Sequence, residues 1–218
     1  QVKDLKNQGM DVHVLAVNPI DHTSAILTSI FGPDVDEKVS SILPEPHSKK
    51  SWVYMFLGAL LCACVKQRWP ILGLARRLIK KKNFFTAKDL LCLVWHLRNK
   101  KVVMENCIAH FGSNGVVLDY LRNAELIDCE NLFTVFHGYE ISRYDQLKLW
   151  KEEYGKLGGK LLPISEHWAE SLVNFGANKS SIEVVHMGVD VDTFSFSDKE
   201  LSTPLQVLSV ARATEKKG

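Results

Sequence analysis

Asn106–Gly138, NCIAHFGSNGVVLDYLRNAELIDCENLFTVFHG, is the stretch whose reading decides the fold. Asn106–Phe111 and Leu132–Phe136 are short, mostly apolar runs; the first ends on His110-Phe111 before Gly112, and the second leads into His137-Gly138. Runs of this length without polar alternation read as strands buried on both faces. The segment between them carries apolar residues at helical spacing and predicts a helix over 114–123. Strand, helix and strand in succession imply parallel strands joined by a crossover helix.

The same rhythm extends outward. Downstream it predicts a helix over 144–156, a strand at Lys160–Ile164, a helix over 166–175 and a strand at Ile182–His186. Upstream, Asp11–Asn18 reads as a strand closed by Pro19, and the polar segment Asp34–Lys50 as a surface loop. Helices are expected over 52–65, 70–82 and 86–99, the last capped by Thr86 with Asp89 at its third position. The fold class is α/β, a doubly wound parallel sheet interrupted by a helical, basic insertion. Leu205–Val210 is one more strand, and it breaks into a loop carrying Arg212, Lys217 and Gly218, as a strand does before a phosphate-facing helix N-terminus. Gln1–Gly9 resembles the back half of a helix with its strand missing. The chain is therefore expected to be a piece of a longer protein, with one domain over 1–200 and the start of a second over 201–218.

With 218 residues, 46% of them apolar, the chain can bury one substantial core. Its five cysteines, Cys62, Cys64, Cys92, Cys107 and Cys129, form no CxxC and no zinc-ligand spacing. Packed thiols in a reducing cytoplasm fit that pattern.

A net charge of +2 conceals an asymmetry. Residues 49–101 hold thirteen Lys or Arg and one acid, so this segment carries +12 and the remainder −10. At its centre, Trp69–Lys82 sets Ile71, Leu72, Ala75, Leu78 and Ile79 against Arg76, Arg77, Lys80, Lys81 and Lys82 at helical spacing. Such a helix can lie on an anionic membrane or cover a core with a solvated basic face. Nucleic acid is not expected, because exposed aromatics do not interleave with the basic residues. Upstream, Trp52–Val65 is uncharged but shorter than the roughly 20 residues a bilayer crossing needs.

Ligands of parallel sheets sit beyond the carboxyl ends of the strands. Those positions here are His110-Phe111-Gly112, His137-Gly138-Tyr139-Glu140, Ser165-Glu166-His167 and Gly188-Val189-Asp190. Each has an ordinary structural use: Ser165 suits an N-cap, Glu166 a helix dipole, Gly112 and Gly138 tight turns. Two histidines following separate parallel strands at one edge are the unusual element, and they mark a candidate site.

Four motifs in order, T-V-F-H-G-Y-E from Thr134, L-P-I-S-E-H-W-A-E-S-L from Leu162, N-K-S-S-I-E-V-V-H-M-G-V-D-V-D-T-F from Asn178 and S-V-A-R-A-T-E-K-K-G from Ser209, resemble the retaining glycosyltransferases of family 4. Ile108–Gly115, I-A-H-F-G-S-N-G, is most similar to the exopolysaccharide, colanic-acid-type branch. The resemblance implies the amino-terminal, acceptor-side Rossmann-like domain of a two-domain GT-B fold. It also implies sugar transfer with retention from a nucleotide-diphosphate sugar to a lipid-linked saccharide, without a cofactor or a metal, by a cytoplasmic enzyme peripheral on the inner face of the plasma membrane. On that resemblance Arg212 and Lys217, with Gly188, meet the donor diphosphate, and His137 lies by the transferred sugar in a positional role. His110, Phe111, Gly112, Asn114, Ser165 and Glu166 border the acceptor. No D-x-D or His/carboxylate cluster presents itself for a divalent ion. One departure is His186-Met187-Gly188-Val189-Asp190 where relatives carry Pro-Asn-Gly-Val-Asp. A nucleotide-sugar epimerase of the same architecture and a non-catalytic carbohydrate- or nucleotide-binding module are the alternatives.

Overall fold

The computed structural model describes residues 2–16, 25–41, 54, 57–58, 61, 69–80, 90, 94, 102–198, 204, 206–208 and 210. The chain divides into two compact units, 1–186 and 187–218, each described here by itself.

The centre of the first unit is a parallel sheet of β3 (Val102–His110), β4 (Ile127–Phe136) and β5 (Lys160–Pro163), in that order. Its flanking helices are α5 (Gly112–Asn123), the short α6 (Tyr139–Ser142), α7 (Tyr144–Tyr154) and α8 (Glu166–Asn174). This is a Rossmann-like α/β arrangement. Both long strands begin earlier than the apolar runs suggest. Ile127 and Cys129 are buried while Asp128 and Glu130 are exposed, so the front of β4 alternates between a covered and a solvated face. Polar residues therefore belong to the strand. The expected strand at Ile182–His186 is reduced to a bridge between Ile182 and Leu161, extended by Glu183 N–H to Leu161 O at 2.9 Å and Val185 N–H to Pro163 O at 3.0 Å.

Its core runs through Leu121, Leu126, Leu132, Phe136, Trp150, Tyr154, Leu161 and Leu172, with Phe136 and Tyr154 in edge-to-face contact at 5.3 Å. The basic helix, α4 (Trp69–Lys80), belongs to this core. Ile71, Leu74, Ala75 and Leu78 are all buried in it, so the apolar face that could have entered a bilayer is already covered. Arg77 also departs from expectation as a membrane-surface residue. Its guanidinium donates to the Glu153 carboxylate and to the Tyr120 hydroxyl, which itself donates to Glu153 at 3.0 Å. A buried carboxylate needs such partners, and this network fastens α4 to α5 and α7. Arg76 and Lys80 are exposed, while Lys81 and Lys82 lie outside the described residues. Of the expected helices on either side, Tyr54, Leu57, Gly58, Leu61, Leu90 and Val94 are helical. Among the described residues no helix is long and apolar enough to cross a membrane.

The amino-terminal segment carries a separate two-stranded parallel sheet, β1 (Val14–Ala16) with β2 (Val39–Ser41), and the helices α1 (Val2–Asn7), α2 (Ala25–Phe31) and α3 (Val35–Lys38). The expected surface loop at Asp34–Lys50 therefore contains a helical turn and a strand. Val35 and Val39, four residues apart, are both buried with Phe31 in a small core, and they organise an otherwise polar segment. Leu15 is exposed, so β1, although an apolar run, is covered on one face and open on the other.

Candidate functional site

Parallel pairing sets His110, the last residue of β3, opposite Val135, so His110 and His137 leave adjacent strands at the same edge. Their rings stack with centroids 5.3 Å apart and planes 21° apart, and His110 Nδ1 lies 3.1 Å from His137 Nε2. At that separation one nitrogen donates and the other accepts, so each ring fixes the other's tautomer. Partial desolvation, and then the His137 ring, hold His110 below the usual histidine range.

Phe111 follows with φ 72° and ψ 136°, a conformation unfavourable for a side chain of its size. Several bonds hold it there. Its N–H donates to Val135 O at 3.0 Å, its carbonyl accepts from Asn114 and Gly115, and the Asn114 amide donates to His110 O at 2.8 Å. The turn leaves the Phe111 ring partly exposed and 4.9 Å from His137. A Cβ on Gly112 would come within 2.4 Å of the Phe136 ring and 2.8 Å of the Tyr154 ring, so the start of α5 can sit on the core only with glycine there.

On the second loop, Gly138 has φ 81°, and a Cβ there would lie 2.5 Å from Trp168 Nε1, so the first turns of α8 close against this loop. Ser165 begins α8 and Glu166 is exposed in its first turn, at the same edge one strand further on, where Ile164 N–H donates to Phe136 O at 3.2 Å. Ser165 makes no capping bond with its side chain. His167 packs on Trp168 at 4.6 Å, and His186 Nδ1 is 3.2 Å from Ile164 O.

Glu140 stands in sequence among the residues that follow β4, with no role assigned to it there. It is almost fully buried in α6, and its Oε1 accepts from Gly112 N–H at 3.2 Å and His137 N–H at 3.1 Å. The available signal was an acid three residues after His137, in the first turn of a helix, where a carboxylate can meet backbone N–H groups. Nearby, burial and the Glu140 carboxylate push the Tyr154 phenol far above its ordinary range.

The remaining expected site residues fall elsewhere. Gly188 lies in the second unit, and among the described residues no atom comes within 4 Å of where a Cβ would stand. In that unit Asp190 accepts from Asp192 N–H, Thr193 N–H and the Thr193 hydroxyl, and the hydroxyl bond holds its carboxyl below the usual range. Arg212 and Lys217 lie outside the described residues. Among the described residues no group of three or more His, Cys, Asp or Glu stands close enough to hold a metal ion.

A parallel sheet with flanking helices makes the described part of the chain a Rossmann-like α/β domain, with a histidine pair at the sheet's carboxyl edge. Similarity to curated proteins narrows that class. Over 115 residues, 51% of the chain, it is 44% identical to WcaL of Escherichia coli (strain K12), provisionally named a colanic acid biosynthesis glycosyltransferase. Over 137 residues, 61% of the chain, it is 35% identical to the amylovoran biosynthesis glycosyltransferase AmsK of Erwinia amylovora. The WcaL of Salmonella typhimurium is 42% identical over 115 residues. These alignments take in 28%, 33% and 28% of the relatives, so the chain spans about a third of their length. No protein-family description and no solved structure matches the chain.

Proposed function

We infer that the chain is part of a glycosyltransferase of exopolysaccharide synthesis. It contributes the acceptor-side domain of a two-domain GT-B enzyme of family 4, which transfers a sugar with retention from a nucleotide-diphosphate donor to a lipid-linked saccharide. The observation that supports this most is the His110–His137 pair, 3.1 Å apart at the carboxyl ends of two parallel strands, in a chain similar to colanic acid and amylovoran glycosyltransferases. In this reading His137 positions the transferred sugar, and His110, Phe111, Gly112 and Asn114 border the acceptor with Ser165 and Glu166. As the donor bond breaks, negative charge grows on the departing diphosphate. Arg212 and Lys217 neutralise it, with Gly188 allowing close approach of the backbone, and no metal is required. The acceptor hydroxyl attacks from the same face, its oxygen bonds to the sugar carbon as the bond to the diphosphate breaks, and its proton passes to the departing diphosphate.

Arg212→Ala in the full-length enzyme is expected to lower kcat by at least ~10², the loss of a few kcal/mol of electrostatic stabilisation. Sugar transfer at the wild-type rate by that variant would remove the assignment.

Contact with the inner membrane face is part of the same reading and rests on charge. Arg76, Lys80, Lys81 and Lys82 would carry it, without Arg77. Sedimentation with anionic vesicles should show binding that weakens with salt and with neutralisation of those four residues. Equal binding to neutral vesicles would overturn it.

A further inference from the structure

Two loops that carry the histidines come from different strands, so their separation is a tertiary quantity. Backbone bonds fix β3 against β4, and the last of them runs from Phe111 N–H to Val135 O. Beyond that point the first free N–H of α5, on Gly112, and the N–H of His137 converge on a single oxygen, Glu140 Oε1. A helix N-terminus and the residue after a neighbouring strand thus share one charged acceptor, buried to 3% exposure. Charge-assisted bonds in so dry a place are stiff, and breaking either leaves a buried N–H unpaired. Among the described residues Glu140 Oε2 has no hydrogen-bond partner, so one oxygen makes both bonds.

We propose that Glu140 is the positioning residue of this site: its carboxylate clasps the two loops and thereby sets the spacing of the His110–His137 pair. The residue need not touch substrate. Its effect passes through the backbone of Gly112 and His137 to the imidazoles, and it explains how the strained turn at Phe111 is kept open beside His137. The consequence for substrate rests on the transferase reading above, whereas the clasp does not.

Two substitutions in the full-length protein separate geometry from charge. Glu140→Gln keeps the length and an oxygen for both N–H donors, and it puts an amide nitrogen where Oε2 makes no bond. Glu140→Asp keeps the charge but is one methylene too short to reach both. The clasp requires Glu140→Asp to lose at least tenfold more kcat/KM than Glu140→Gln, since a displacement of about 1 Å at a reacting centre costs ~10²-fold. A Glu140→Gln loss equal to or larger than that of Glu140→Asp overturns it. Nitrogen NMR of the two imidazoles supplies a readout independent of sugar chemistry. In the wild type and in Glu140→Gln the two rings should show nitrogen–nitrogen coupling across the His110 Nδ1–His137 Nε2 hydrogen bond, and in Glu140→Asp no coupling. Coupling that survives Glu140→Asp also overturns the clasp. If Glu140→Asp does not fold, Glu140→Gln decides alone: a folded variant with uncoupled rings refutes the proposal, and a coupled pair with kcat/KM within about tenfold supports it. A wild-type protein without transferase activity would sink the functional reading and leave the NMR comparison standing.

Discussion

The carboxyl edge of the β3–β4–β5 sheet and the basic helix α4 both mix polar with apolar residues, and they use that mixture in opposite ways. At the sheet edge the polar groups are held by backbone and by one another: His110 against His137, Asn114 on His110 O, Glu140 on two N–H groups. On α4 the apolar stripe is covered by the core, and one of its cations, Arg77, turns onto Glu153 and Tyr120. Periodicity reports that a face will be covered but not what will cover it. Topology is more informative, because residues that end parallel neighbours must arrive at one edge.

The largest test of the contrast is Leu78→Asp. Burying an unpaired carboxylate where Leu78 is 1% exposed costs several kcal/mol against a total stability of roughly 5–15. Circular dichroism should find no cooperative unfolding transition, whereas Lys80→Asp, on the exposed side, should melt like the wild type. A folded Leu78→Asp would return the apolar stripe to the surface.

Next is Gly112→Ala. The added methyl meets the Phe136 and Tyr154 rings, and overpacking of this kind costs about 3 kcal/mol. Denaturant unfolding should register that loss, and an unchanged midpoint would mean that α5 does not press on the core at its first turn.

Arg77→Ala should cost roughly 1.5 kcal/mol, the value of a charge-assisted bond discounted for a half-exposed guanidinium. Arg76→Ala, its exposed neighbour, should fall within about 0.5 kcal/mol of the wild type. Equal effects in the two would erase the distinction between the inward and outward cations.

The smallest effect is in pH. The His110 pKa is lowered from 6.5 on folding, so the unfolded chain binds its proton more readily than the native protein does. Stability from this group is present above pH 6.5 and is lost as pH falls through the lower native value. Thermal melts from pH 7.5 downward should show this decline, and His137→Ala should reduce it. A decline unaltered in His110→Ala would assign it to another group.

The helices at 144–154 and 166–174 and the ends of β3 and β4 were legible from apolar spacing. The fronts of β3 and β4 were hidden by residues such as Glu105, Asp128 and Glu130, whose exposed face mimics a loop. The strand at 39–41 was hidden in a polar segment that Val35 and Val39 anchor to Phe31. Within the site, His110, Phe111, Gly112, His137 and Gly138 were visible because turn residues follow apolar runs. Glu140 was not singled out, because its partners are backbone N–H groups that no side-chain pattern records.

Local composition by itself determined the class, parallel α/β, and placed two histidines at one edge, because the alternation of buried runs with helical ones leaves few ways to shield backbone polar groups. Tertiary packing alone decided which face of α4 is hidden, which cation is drawn inward and which carboxylate ties the loops. Those outcomes depend on distances between segments far apart in the chain, and spacing along a sequence carries no information about them.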